Sequence, residues 1–470
     1  MNRTRIAFIQ KDWEDNLGVL WISAVLKEHG FATRVWVESR DTYAQVREFQ
    51  PALVGYSCIT GAQTWVRASV ERLRAAGVKA LVVVGGPHPT FFPEMIEDLP
   101  VEVICRGEGE YPFLELAQAL EENREPYQIK NLYFKIGREV IKNDLRPLVA
   151  DLDSLPFPDR SYYDRYPFLA QNPYKILITS RGCPYRCTFC FNHVLMQLYG
   201  RPASYVRRRS VAAVMEEIGQ IRAAWGLEQI RFSDDHFALN KKWLKEFCHS
   251  YRREIGLPYT INARADVLDE ERVSLLAESG CRLVCFGIES GREELRNKIL
   301  KKGISDKEIF QAAQLLKRYG LKFLTSNIIG LPGESSADAW ETIALNQRLG
   351  TNLPWFSMMQ YYPGTEIYEQ AREAGLLSED QGVEEITSYF DNSYLKQENL
   401  PELQNIHSFA ILVSRFKFLE PLARYLTKRF PPNPLFKMIF KLSYGVLTVR
   451  RANLRPQRLL RGLRYYLAGC

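Results

Sequence analysis

No apolar run in this sequence approaches the roughly 20 residues of a bilayer-crossing helix, so no membrane span is expected. The opening stretch, MNRTRIAFIQKDWEDN, has no signal-peptide apolar core and reaches acidic residues early, so secretion is not expected either. A disulfide framework is also missing. The nine cysteines comprise one tight group, Cys183, Cys187 and Cys190, and six scattered ones, which suits a reducing, cytoplasmic setting. No internal repeat or low-complexity tract stands out. What is present is an ordinary globular composition of 470 residues, 46% hydrophobic and 25% charged. That is chain enough for two or three cores and excludes a disordered or collagen-like protein.

Acidic residues nearly vanish after residue 400. Positions 401–470 hold 13 Lys or Arg against Glu402 and Glu420, so the whole-chain net charge of +7 belongs to the tail. Aromatic and basic residues interleave there, as in SRFKFLEPLARYLTKRF and PLFKMIFKLSYGVLTVRR. Three readings stand open: a helical cap over the mouth of the preceding domain, amphipathic helices on an anionic membrane surface, or contact with RNA phosphates.

Further upstream, five short apolar runs (RIAFIQ, TRVWVE, PALVGYS, ALVVVGG and VEVICRG) alternate with amphipathic stretches, the pattern of a parallel, doubly wound sheet. Ligands of such sheets sit beyond the carboxyl ends of the strands, here Gln10–Gly18, Ser57–Gly61, Gly85–Thr90 and Gly107–Tyr111. A Pro- and Asp-rich connector follows. A second series of six strands begins at YKILITSRG and continues through QIRFSDD, PYTINAR, RLVCFGIES, KFLTSNIIG and PWFSMMQYY. With a helix after each, they would form a partial barrel whose site lies on the loops after the strands.

The first of those loops reads Ser180-Arg-Gly-Cys183-Pro-Tyr-Arg-Cys187-Thr-Phe-Cys190. Three thiolates so spaced suit one side of a cubane iron–sulfur cluster with one iron left open. Zinc with His193 as a fourth ligand, or plain burial, remain alternatives. C-x3-C-x2-C with an aromatic residue before the third Cys resembles the signature of the radical S-adenosylmethionine (SAM) superfamily, and the other strand ends agree. Phe232-Ser-Asp234-Asp235 resembles the Asp-Asp variant of the segment that meets the methionine ammonium, and Arg264 stands where the carboxylate is met. Gly287-Ile-Glu289-Ser290-Gly291 is similar to the ribose- and carboxylate-binding segment, and Asn327-Ile-Ile329-Gly330-Leu-Pro-Gly333-Glu334 to the adenine-side loop. The pairing suits the ligand: an ammonium wants carboxylate, a carboxylate wants arginine, and a diol favours a carboxylate acceptor. Taken singly, each could be a helix cap or a structural ion pair.

A doubly wound domain ahead of this barrel resembles the cobalamin-binding subgroup of the superfamily. The resemblance places cobalamin beside Gly18, Ser57, Gly85, Gly86, His88, Gly107 and Glu108. His88 could equally be a loop hydrogen-bonder. The Asp-x-His-x-x-Gly segment that supplies an axial histidine elsewhere is absent after the first strand, so no histidine is expected on the lower face; Trp13 or Trp65 could cover it. The implied organisation is a cobalamin domain over 1–125, a connector over 126–170, a radical SAM partial (β/α)6 barrel of TIM type over 171–375, and a helical basic region over 376–470. The fold class is α/β.

The resemblance implies a [4Fe–4S] cluster, SAM and cobalamin as cofactors. It also implies C-methylation of a small-molecule or lipid-like substrate, through a 5′-deoxyadenosyl radical and methylcobalamin, with a flavodoxin or ferredoxin as electron donor. Nucleic acid is not expected as a partner, and peripheral membrane contact would come through the tail. The alternatives are a cobalamin-dependent radical enzyme that cyclises, rearranges or oxidises, and an RNA-modifying methylthiotransferase. The latter would want three further N-terminal cysteines, and only Cys58 and Cys105 precede the triplet. Cys281 and Cys285 form a second C-x3-C, read with Cys248 as core packing, and Cys470 as an exposed thiol.

Overall fold

The computed structural model describes residues 4–202, 204–378 and 393–452, which form two compact units. The first runs to Pro173 and includes Ile221–Gly226; the second comprises Tyr174–Gln220 and the described chain from Leu227 to Ala452.

In the first unit, β1 (Arg5–Gln10), β2 (Ala32–Val37), β3 (Leu53–Ser57), β4 (Leu81–Gly85) and β5 (Val103–Cys105) pair in parallel in the order β2-β1-β3-β4-β5. Near-continuous apolar strands are what a sheet covered on both faces requires. Ala7, Ile9, Val54, Val82, Val84 and Ile104 fill one face, against helices that include Gln63–Ala75. The five expected strands are all present. The connector adds a hairpin, β6 (Leu132–Ile136) and β7 (Glu139–Lys142), which extends the sheet antiparallel beside β5. Strand order reverses between β1 and β3, which marks the crevice where ligands of doubly wound sheets lie.

In the second unit β8 (Tyr174–Leu177) starts a six-stranded parallel sheet. A short antiparallel ribbon, β9 (Ser180–Arg181) with β10 (Arg207–Arg208), leaves that strand and frames the cysteine loop. The sheet continues through β11 (Gln229–Phe232), β12 (Tyr259–Ala263), β13 (Cys281–Glu289), β14 (Lys322–Ile329) and β15 (Leu353–Met358), in chain order, so it is a curled half-barrel. The later crossover helices begin at capping boxes, Ser305 with Glu308 and Ser335 with Asp338, which satisfy the otherwise unpaired first-turn amides.

Of the three readings of the tail, a cap over the barrel mouth does not describe its first helix. The helix Leu400–Arg415 lies on the outer side of the sheet, where Leu403, Ile406 and Phe409 share a core with Ile329, Phe356 and Ile343 of the neighbouring helix Ser336–Leu349. His407 hydrogen-bonds the Phe356 carbonyl at 3.2 Å and Gln347 donates to the Val413 carbonyl at 3.1 Å. Its apolar residues therefore continue the outer layer. Cys58, Cys105, Cys248, Cys281 and Cys285 are all buried, as core packing requires; Cys470 lies outside the described residues.

Candidate functional site

The cysteine loop is held at both ends and in the middle. Gly182 enters it at φ +90°, and a Cβ there would stand 2.6 Å from the Tyr205 carbonyl oxygen, so the position tolerates only glycine. At the centre Thr188 donates through its amide to Leu300 O (3.1 Å) and through Oγ1 to Ile299 O (2.8 Å). Phe189 packs with Ile328, Leu331 and Tyr361 on the inner face of the sheet. Burial pushes all three thiols up, Cys190 to about 12, and for Cys183 and Cys190 the negative charge of a neighbouring thiolate adds to it. His193, the zinc alternative's fourth ligand, instead pairs its Nε2 with Gln197 at 3.0 Å, one turn along its own helix.

The strand ends separate into side chains that face this loop and side chains that build it. Asp234 is buried and accepts from the Thr179 amide and hydroxyl, the latter at 2.6 Å, and from Ser180 Oγ. It is spent on fixing the end of β8. Asp235 keeps an open side, but its carboxyl meets the Asn192 side chain and the Gly182 amide among enclosing neighbours, and that enclosure pushes it up. Arg264 is gripped by Asp266 at 3.0 and 3.1 Å, donates to the Lys302 carbonyl at 2.7 Å, and lies over the Tyr185 ring, 3.6 Å from its centroid. Its Nη1 stands 4.0 Å from Cys187 Sγ.

Glu289 adopts a left-handed backbone at φ +66°, where a non-glycine residue is strained and usually held for a reason. The hold is Lys302, whose ammonium meets Glu289 Oε1 at 2.6 Å with both side chains buried. A Cβ on Gly287 would stand 1.9 Å from that carboxylate oxygen, so this glycine makes room for the pair. The other two residues expected to contact SAM lie differently. Ser290 is fully buried, its hydroxyl accepting from the Arg292 amide at 3.2 Å. Ile329 points into the outer core, and Ile328 is the one on the inner face. The structure therefore gathers Asp235, Arg264 and Glu289 about the cysteines and turns Asp234, Ser290 and Ile329 to support.

At the strand ends of the first unit, Gly86 has φ +101° and a Cβ there would meet Cys58 O at 2.8 Å, so the β4 turn closes tightly over β3. Ser57 and Gly107 are half-buried, Gly85 is buried and Gly18 is exposed at the first turn of its helix. Ile59, at the end of β3, is 46% exposed, one of few large apolar side chains left open in this unit. His88 is buried, bonds Thr60 Oγ1 through Nδ1 at 3.1 Å, and burial lowers it to about 4, so it is neutral and committed to its loop. Glu108 accepts from the Val149 amide at 2.8 Å, which ties it to the connector. Trp13 packs edge-on to Tyr166 and Phe168, and Trp65 packs on Tyr56 while bonding Glu38.

Residues 177–345 match the model of the radical SAM superfamily, and residues 5–117 that of the B12 binding domain. An uncharacterized methyltransferase of Pyrococcus horikoshii is 32% identical over 336 residues, 71% of this chain and 72% of that one. The chain belongs to the cobalamin-dependent radical SAM methyltransferase family. An anaerobic magnesium-protoporphyrin IX monomethyl ester cyclase of Cereibacter sphaeroides is 26% identical over 76% of this chain and 60% of its own. The fold is shared with the radical SAM methyltransferase TsrM of Kitasatospora setae, a structure with cobalamin and a [4Fe–4S] cluster bound, at TM-score 0.70, 18% identity, and coverage of 95% of this chain and 100% of that one.

In this family member three features of the site escaped sequence reasoning. Thr188 is an ordinary spacer in the motif, and Lys302 lies 13 residues past Glu289 with nothing in its neighbourhood to mark it. The cobalamin domain's β1 loop is anchored by Asp15, which accepts from Tyr162 at 2.5 Å and Tyr163 at 2.6 Å. The paired tyrosines in RSYYDRY were the only available signal.

Proposed function

We propose that this enzyme methylates an unactivated carbon of a small-molecule or lipid-like substrate. The observation that carries the reading is the gathering of Cys183, Cys187 and Cys190 with Asp235, Arg264, Glu289 and Lys302 at the carboxyl ends of one sheet. Three thiols in one loop, with His193 turned to Gln197, fit a cluster that keeps one iron open. Asp235 would take the SAM ammonium, the Nη1 end of Arg264 beside Cys187 its carboxylate, and Glu289 the ribose hydroxyls. Asp234, Ser290 and Ile329 would act behind them by holding the strand ends in place.

Cobalamin would lie over Gly18, Ser57, Gly85, Gly86, Gly107 and Glu108, where small side chains leave room and Ile59 offers an apolar surface to a flat macrocycle. His88 would shape that loop rather than touch the metal, since Thr60 occupies its Nδ1. When bound, these groups supply reductive SAM cleavage, hydrogen-atom abstraction and the methyl donor; the chain supplies ligation, orientation and exclusion of water. A flavodoxin- or ferredoxin-type protein would deliver the electron. A lipid-like substrate would be met at a membrane surface, where the basic C-terminal helices would hold the enzyme.

The cyclase relative favours a second reading, radical chemistry without methyl transfer. Anaerobically reconstituted protein given reductant and SAM separates the two. Release of both 5′-deoxyadenosine and S-adenosylhomocysteine, with a methylcobalamin spectrum, is expected of the methylase. Release of 5′-deoxyadenosine without methylation of cobalamin would overturn it in favour of the second reading.

A further inference from the structure

Between residues 416 and 446 the chain leaves an unusual amount of apolar surface open. Phe418 is 77% exposed, Tyr425 63%, Leu435 58% and Leu442 64%, joined by Phe416, Leu422, Phe430, Met438 and Val446. The helix Pro434–Ala452 carries two apolar stripes. Phe436, Phe440, Tyr444 and Leu447 face the core, whereas Leu435, Met438, Leu442 and Val446 recur at spacings of 3, 4 and 4, and so form a second stripe facing away. A core-facing helix needs only the first.

The cations around this face are unmatched. Lys417, Lys428, Arg429, Lys437 and Lys441 are exposed, and among the described residues none has an ion-pair partner. The segment's sole carboxylate, Glu420, is held by Arg424 at 2.8 Å. On a helical wheel Lys437 and Lys441 fall between the two stripes of their helix, so they flank the exposed one and can reach past it.

We propose that residues 416–446 form a docking surface for an anionic phospholipid membrane, with the outer stripe entering the headgroup boundary and the lysines meeting lipid phosphates. Charge decides the occupant. A second copy of the chain would set like charges against each other, and RNA would match the cations but leave the aliphatic stripe Leu435, Met438, Leu442 and Val446 unburied. The inference does not rest on the reaction proposed above: vesicle binding and SAM cleavage are separate readouts, and either can fail alone.

Deleting the tail is not a usable test, because Leu403, Ile406 and Phe409 belong to the core. Substitutions on the exposed face leave that core intact. Full-length, cluster-reconstituted protein is floated with vesicles of phosphatidylcholine containing phosphatidylglycerol, and with phosphatidylcholine alone. Wild type is expected to float with the anionic vesicles only. K437E/K441E and L435S/L442S should each bind them about tenfold or more weakly, with SAM cleavage unchanged. Wild type that stays in the bottom fraction, flotation undiminished by both pairs of substitutions, or equal flotation with neutral vesicles would each overturn the proposal. So would light scattering that shows a dimer which L435S/L442S splits.

Discussion

Glu334 is a buried carboxyl with little to charge it. It accepts from the Gly330 amide at 2.5 Å and the Leu331 amide at 3.1 Å, yet burial pushes it from 4.5 to about 8. Between those two values the folded chain holds a proton that the unfolded chain has released, so stability falls as pH rises through the window and levels off above it. Glu334→Gln cannot ionise; thermal unfolding of this variant should lose that decline, and near the upper end it should exceed wild type by on the order of 1–3 kcal/mol. A variant with the same pH dependence as wild type would assign the slope to other groups. Gly287 gives a sharper residue-scale test. Gly287→Ala would drive a methyl group into the Glu289–Lys302 pair, whose oxygen lies 1.9 Å from the Cβ position. Overpacking of this kind costs about 1–3 kcal/mol, so calorimetric SAM affinity should fall about tenfold or more while the cysteine loop still takes up iron. Unchanged affinity would remove Glu289 from the SAM site.

At the scale of elements, the turn after β4 and the anchor of the β1 loop position the first unit's ligand crevice. Gly86→Ala, barred by φ +101° and by Cys58 O at 2.8 Å, should lower cobalamin retained on gel filtration and cost about 1–3 kcal/mol of stability. Tyr163→Phe removes one donor to Asp15 and leaves Tyr162, so it should cost about 1 kcal/mol, measured by denaturant unfolding. The strands themselves were legible in the sequence. The five parallel strands of the first sheet appear as short apolar runs because that sheet is covered by helices on both faces, and the six of the second alternate with helical stretches. The cysteine loop was equally legible, since its three cysteines lie within eight residues of one another. Side-chain direction at the strand ends was not. Asp234 and Asp235 are adjacent and chemically identical, and only the Thr179 hydroxyl and amide decide which one is spent on support. Ile328 and Ile329 differ by one step of a pleat, which sends them to opposite faces. Lys302 and Asp15 depend on contacts made by chain folding, for which local spacing carries no sign.

For the whole molecule, a cobalamin domain precedes a radical SAM half-barrel, and the basic tail packs one face of its helices into the core while leaving an apolar stripe exposed. No helix among the described residues is long and apolar enough to cross a membrane. The most direct test of the central claim is the metal and corrinoid content of the wild-type protein and of a C183A/C187A/C190A variant, both reconstituted anaerobically with iron, sulfide and hydroxocobalamin. The account predicts about four irons and one cobalamin per wild-type chain, with a broad iron–sulfur band, and a folded variant that keeps cobalamin but loses the iron. Equal iron in both proteins, or a well-folded wild type that takes up neither group, would contradict it.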